Sequence, residues 1–147
     1  MPTTIFAYGS NLDEHQMKQR CPDSEVMGRA TLPNHAILFG GYSARWQGPV
    51  ASLGRLVGAE VAGLLYRVHQ ADLARLDGCE GVPFAYERVT KVVVDERGRK
   101  RRAQVYVLAG DVAIGTAGAS YYGVIRSAYA RLGFDDRILR KAAAGWR

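Results

Sequence analysis

The sequence predicts an α+β domain built on a mixed, partly barrel-like β-sheet with flanking helices. Three observations point there. Strand-like runs of β-branched and aromatic residues come first, helical stretches are interspersed and then gather late, and turn residues between neighbouring strands imply hairpins and antiparallel pairing. At 147 residues the chain reads as a single domain, 1–147, large enough to bury a core without staples. No repeat and no low-complexity segment interrupts it.

Taken in order, Thr3 to Tyr8 reads as a strand, with Ile5 and Phe6 entering the core. Gly9-Ser10-Asn11 is a sharp turn, and Asp13 through Arg20 is a short helix. Cys21-Pro22-Asp23 breaks it. Glu25 to Leu32 and His35 to Gly40 follow as two extended segments around Pro33-Asn34, then a Gly- and aromatic-rich loop from Gly40 to Pro49. Val50 to Leu56 and Ala59 to Val68 read as strands. Gln70 to Asp77 places Leu73 and Leu76 on one helical face, and that helix should run out at Gly78-Cys79-Glu80-Gly81-Val82-Pro83. Tyr86 to Asp95 and Arg102 to Leu108 form a hairpin about Glu96-Arg97-Gly98-Arg99. A loop over Ala109 to Ser120 leads to a helix from Tyr121 to Leu132, stopped by Gly133. Asp135 or Asp136 caps a last helix running toward Trp146.

Composition narrows the function classes. The apolar runs are far too short to span a bilayer, and the N-terminus lacks a basic region followed by a long apolar one. Two cysteines, Cys21 and Cys79, do not suggest a disulfide scaffold, so a cytoplasmic protein with reduced thiols is expected. The net charge of +6 is concentrated in the last third, notably Arg97-Gly98-Arg99-Lys100-Arg101-Arg102. No aromatic residue is interleaved there to stack bases. A solvated hairpin tip is therefore a better reading than a nucleic-acid surface.

His15, His35 and His69 are scattered without ligand spacing, so no metal is expected. Ser10 lies outside a G-x-S-x-G elbow, and the glycines match neither a phosphate loop nor a dinucleotide fingerprint. Cys79 lacks a nearby base and reads as a small packing residue. Two features remain. The turn after the first strand leaves backbone N–H groups free at a helix start, which fits an anion pocket and a plain strand-to-helix turn equally well. Glu80 sits among glycines where neither helix nor sheet calls for an acid, with Asp77 three residues earlier. If both approached one pocket, like charge and burial would raise the pKa of one of them and make a general acid/base.

Motifs in order give these features a common meaning. Tyr8-Gly9-Ser10-Asn11-Leu12, Trp46-Gln47-Gly48-Pro49-Val50-Ala51-Ser52-Leu53, Glu60-Val61-Ala62-Gly63-Leu64-Leu65-Tyr66, Leu76-Asp77-Gly78-Cys79-Glu80-Gly81 with Tyr86 following, and Ser120-Tyr121 with a helix ending at Gly133-Phe134 span almost the whole chain. In that order they resemble the γ-glutamylcyclotransferase-like family, which includes AIG2-like proteins. Tyr122 and Phe134-Asp135 stand where the family often has Leu and Leu-Pro.

The resemblance implies the family's fold and an intramolecular reaction on a γ-glutamyl amide, a small-molecule partner. The substrate's own α-amine attacks its γ-carbonyl, closing 5-oxoproline and releasing an amine or amino acid. Glu80 is then the implied general acid/base, and no cofactor is implied. Tyr8, Gly9, Ser10, Asn11 and Leu12, with Tyr86 and Tyr121, are the implied substrate-binding residues. Two alternatives share the scaffold: another small-molecule reaction, and a non-catalytic binding or interaction protein that uses the pocket or the basic hairpin.

Overall fold

The computed structural model describes residues 1–146; Arg147, the last residue of the domain expected over 1–147, lies outside them. Its centre is a closed barrel of strands β1 (Thr3–Ala7), β2 (Glu25–Ser43), β3 (Gly48–Val68), β4 (Tyr86–Asp95) and β5 (Lys100–Leu108). Around the barrel the order is β1-β3-β2-β4-β5. The sheet is mixed because β1 runs antiparallel to β3, with Ile5 opposite Tyr66, but parallel to β5, with Ile5 opposite Gln104. The other pairings are antiparallel, and β2 meets β4 only at Ala30↔Asp95 and Thr31↔Val94. Phe6, Phe39, Leu65 and Tyr66 are all buried, the consecutive Leu65 and Tyr66 on opposite faces of the sheet. Full burial of one such side chain contributes roughly 1.5–3 kcal/mol.

Two expected breaks are absent. The extended segments on either side of Pro33-Asn34 form one strand, β2, which continues to Ser43, and those on either side of Val57-Gly58 form one strand, β3, which begins at Gly48. The turn signals nevertheless have a structural counterpart. Pro33 pairs with Glu60 but His35 pairs with Arg55, so the ladder slips at this level. Asn34 adopts a positive φ there and accepts a hydrogen bond from the Gly58 N–H at 3.1 Å. Turn residues inside a long hairpin made a bulge, which bends a ladder without ending it.

The helices are α1 (Glu14–Arg20), α2 (Gln70–Glu80), α3 (Ala119–Leu132) and α4 (Arg137–Ala143). The side chain of Asp13 accepts from the His15 N–H and caps α1. On α3, Tyr121, Ile125, Ala128 and Tyr129 recur at helical spacing and are buried. The departure that matters most is in α2. It continues through Gly78, Cys79 and Glu80 instead of ending at Asp77, and stops where Gly81 adopts a left-handed conformation, φ 67°. The buried Leu73 and Leu76 hold this helix against the core, and packing outweighs the modest helix penalty of one glycine. Gly81 closes the helix through its N–H, which donates to the Asp77 and Gly78 carbonyls.

Candidate functional site

β1 delivers Tyr8 to one end of the barrel, where its hydroxyl donates to the Tyr106 carbonyl at 2.6 Å. The chain then turns at Gly9. There Ala51 and the Tyr121 hydroxyl approach so closely that an added Cβ would lie 3.3 and 3.6 Å from them. Ser10 to Leu12 form one turn of 3-10 helix. Its first closed bond runs from the Leu12 N–H to the Gly9 carbonyl at 3.0 Å, so the N–H groups of Ser10 and Asn11 have no partner within the turn. Two side chains anchor it from behind. Tyr66 donates to the Asn11 carbonyl at 3.2 Å, and Arg131 to the Leu12 carbonyl at 3.3 Å.

Glu80 meets this turn from the last residue of α2. Its Oε1 accepts from Asn11 Nδ2 at 3.0 Å and from Arg20 Nη1 at 3.2 Å. The orientation of the Asn11 amide follows from its neighbours. Arg20 can only donate, and it donates to Asn11 Oδ1 at 3.0 Å, so the amide nitrogen must face Glu80. Gln16, one helical turn before Arg20 on α1, donates to both Asn11 Oδ1 and Ser10 Oγ. Turn, α1 and the end of α2 thereby form one network.

The electrostatics of Glu80 follow from its position. Its side chain is 13% exposed and that of Arg20 10%. A carboxylate at a helix C-terminus also lies against the negative end of the dipole. Burial pushes the Glu80 carboxyl above the usual glutamate range; Arg20, then the Asn11 amide and Arg45 pull it down, and Asp77 adds a small upward push. Asp77 does not join Glu80 in one pocket. Asp77 accepts from Arg88 Nε at 3.0 Å and from the Tyr106 hydroxyl at 2.6 Å, and it does not line the pocket. Cys79, expected as a packing residue, is exposed at the pocket mouth.

Tyrosines form the walls. Tyr86 donates to the Ala51 carbonyl at 2.6 Å, while the Tyr121 hydroxyl accepts from the Ala51 N–H at 3.0 Å. The Tyr121 ring is held edge-on by Phe39 and by Trp46, with centroids 6.0 and 4.9 Å away. Burial pushes the Tyr121 hydroxyl up to about 12 and raises Tyr8 and Tyr86 well above their ordinary value. All three are neutral near pH 7.

Of the residues singled out in the sequence, Tyr8, Gly9, Ser10, Asn11, Glu80, Tyr86 and Tyr121 line one narrow inner pocket of about 40 Å³. Ser10, Glu80, Tyr86 and Tyr121 also line a chamber of about 270 Å³. Leu12 does not line either; it is fully buried in the core beneath the turn. Arg20, Gln16, Tyr106 and Arg45 were not anticipated. The only sequence signal for the first two was the spacing of Gln16 and Arg20, which puts both on one face of α1. Among the described residues no three His, Cys, Asp or Glu side chains gather as a metal-ligand set, and no helix is long and apolar enough to cross a membrane.

A pocket with one buried carboxylate, a donor turn and neutral tyrosines suits proton transfer beside an anionic small molecule. Comparison with known proteins places the sequence among relatives. The family model described as γ-glutamyl cyclotransferase, AIG2-like, matches residues 5–122. The γ-glutamylcyclotransferase of Mus musculus is 31% identical over 108 residues, covering 70% of this chain and 57% of the mouse protein. That of Homo sapiens is 29% identical over the same shares of both chains. The chain thus spans little more than half the length of these curated relatives. A solved structure titled γ-glutamyl cyclotransferase superposes with a TM-score of 0.87 at 23% identity, covering 98% of this chain and 88% of that one. The match over residues 5–122 shows that the chain belongs to the γ-glutamyl cyclotransferase, AIG2-like family.

Proposed function

We propose that this chain, as one domain, is a cyclotransferase that releases 5-oxoproline and an amine or amino acid from a γ-glutamyl amide, with Glu80 as general acid/base. The observation that carries the reading is the 3.0 Å contact between Asn11 Nδ2 and Glu80 Oε1, because it sets a carboxylate and a donor turn on the same pocket. The relatives' names support the substrate class, and the unpaired Cys21 and Cys79 support a reducing, cytoplasmic setting.

The chemistry needs little else. The substrate amine is largely protonated near neutral pH and must lose a proton before it attacks. Glu80 takes that proton, and a carboxyl whose pKa is raised by burial is a stronger base than an exposed one. The amine nitrogen bonds to the γ-carbonyl carbon, and the carbonyl oxygen takes up negative charge. Glu80 then returns the proton to the departing nitrogen as the old amide C–N bond breaks, and the new ring nitrogen passes its second proton through Glu80 to the released amine, which leaves as an ammonium ion. Nucleophile and carbonyl belong to one molecule, so proximity is supplied by the substrate once the pocket holds it folded. The N–H groups of Ser10 and Asn11 hold its α-carboxylate or the developing oxyanion. Gly9 allows the close approach, Leu12 fixes the turn from below, and Tyr8, Tyr86 and Tyr121 shape the walls.

The test is incubation with a panel of γ-glutamyl amino acids and γ-glutamyl amines, following 5-oxoproline by mass spectrometry. At least one member should be converted by the wild type. A broad panel with no product would remove the reading.

A further inference from the structure

Beside the chamber of about 270 Å³ that Glu80 lines there is a surface cleft of about 520 Å³. Arg20, Arg45, Gly78 and Cys79 line both, so the two adjoin. Charge along these two spaces is lopsided. Glu80 is the only carboxylate lining either space among the described residues, whereas Arg20 and Arg45 line both and Arg75 lines the outer cleft. Arg20 is held by Glu80, and Arg75 by Asp72 outside both spaces.

Arg45 differs from both. Among the described residues it has neither a carboxylate partner nor a side-chain hydrogen bond, and its guanidinium lies 5.5 Å from the centroid of the Trp46 ring. Stacking on an aromatic face restricts an arginine while leaving its in-plane N–H fork able to take an oxyanion. Trp46 in turn packs edge-on against Tyr121 on the wall of the inner pocket. The unengaged cation is therefore tied, through two aromatic rings, to the wall beside Glu80.

From this we infer that Arg45 is a specificity-determining residue: the outer chamber is a leaving-side subsite in which Arg45 binds a carboxylate carried by the amine that departs. It favours γ-glutamyl amides of amino acids or acidic peptides over those of neutral or cationic amines. The inference rests on the γ-glutamyl reading of the Glu80 pocket. It adds what lies on the other side of the scissile bond. A neutral leaving group would leave Arg45 unpaired, and a cationic one would meet the two arginines that line the chamber, Arg20 and Arg45.

Two ligands that cannot cyclise isolate the subsite. N-glutarylglycine and N-glutarylglycinamide lack the α-amine, keep the carboxylate of the glutamyl half, and differ only in the charge of the leaving side. Calorimetric titration of the full chain should show the glycine compound binding roughly tenfold more tightly, the scale of one partly exposed charge-assisted pair. Arg45→Gln should bring the two affinities together, and Arg45→Lys should restore part of the difference. Equal affinities in the wild type, a preference that survives Arg45→Gln, or no binding of either compound would overturn the inference. Turnover is read separately. Glu80-dependent formation of 5-oxoproline without a charge preference removes the subsite and spares the reaction; an Arg45-dependent preference without turnover does the reverse.

Discussion

Asn11 and Glu80 lie 69 residues apart in sequence and are joined by a 3.0 Å hydrogen bond from the amide of one to the carboxylate of the other. That bond connects the turn after the first strand to the last residue of α2. It also fixes which oxygen of Glu80 is engaged, since Oε1 accepts from both Asn11 and Arg20.

Removing the amide should therefore disturb function more than fold. A hydrogen bond to a charged group contributes about 1.5–3 kcal/mol. Asn11→Ala should lower kcat/KM by roughly tenfold or more, by the same scale. The Tyr66 and Arg131 contacts to the turn go to backbone carbonyls and are retained in this variant. Circular dichroism alongside steady-state kinetics checks both halves of this expectation.

Arg20 shares Glu80 with Asn11, and its loss has a larger structural cost. Removing one partner of a buried ion pair costs on the order of 3–5 kcal/mol, and this pair is only slightly exposed. Arg20→Met should be strongly destabilised at neutral pH in urea titrations. It should also move the acid limb of the kcat/KM profile to higher pH, because the largest influence lowering the Glu80 pKa is gone.

The raised pKa of Glu80 predicts how stability depends on pH. Between the ordinary glutamate value and the folded-state value, the folded protein keeps a proton that the unfolded chain has lost. The stabilising contribution of that proton is complete below the ordinary value and disappears as pH rises through the folded-state pKa. Glu80→Gln cannot ionise. Its stability relative to wild type should rise with pH across that window and level off above it, as read from urea midpoints at a series of pH values. A difference that stays constant with pH would contradict the burial of a titrating group at this position.

Gly78 offers a gain instead of a loss. It is inside α2, and a Cβ added there meets nothing within 4 Å. Gly78→Ala should stabilise the protein by about 0.5–1 kcal/mol. A shift of the urea midpoint at unchanged slope would show it.

The same glycine shows where sequence reasoning reached its limit. Gly78 and Gly81 look alike as helix breakers, yet only Gly81 takes the left-handed conformation that ends the helix. What distinguishes them is the packing of Leu73 and Leu76, which carries α2 past Gly78. Pro33-Asn34 likewise signalled a turn and produced a bulge, because the partner strand supplies a ladder on both sides of it. Local chemistry was legible: the turn at Gly9 to Asn11, the tyrosines and Glu80 were visible as types in a motif order. Arg20, Gln16 and Arg45 were not. Their roles depend on α1 and on the β2–β3 connection lying beside the end of α2, and those distances are tertiary. Asp77 misled for the same reason, since its partners Arg88 and Tyr106 come from β4 and β5.

The central claim is that Glu80 moves the proton in lactam formation. Its most direct test is kcat for 5-oxoproline release by wild type and Glu80→Gln on the best-converted γ-glutamyl compound. Loss of a positioned general acid/base typically costs about 10²–10⁴-fold, so kcat should fall by that order while KM changes little. A Glu80→Gln enzyme that keeps kcat within about twofold of wild type, far less than general acid/base loss costs, would contradict the account.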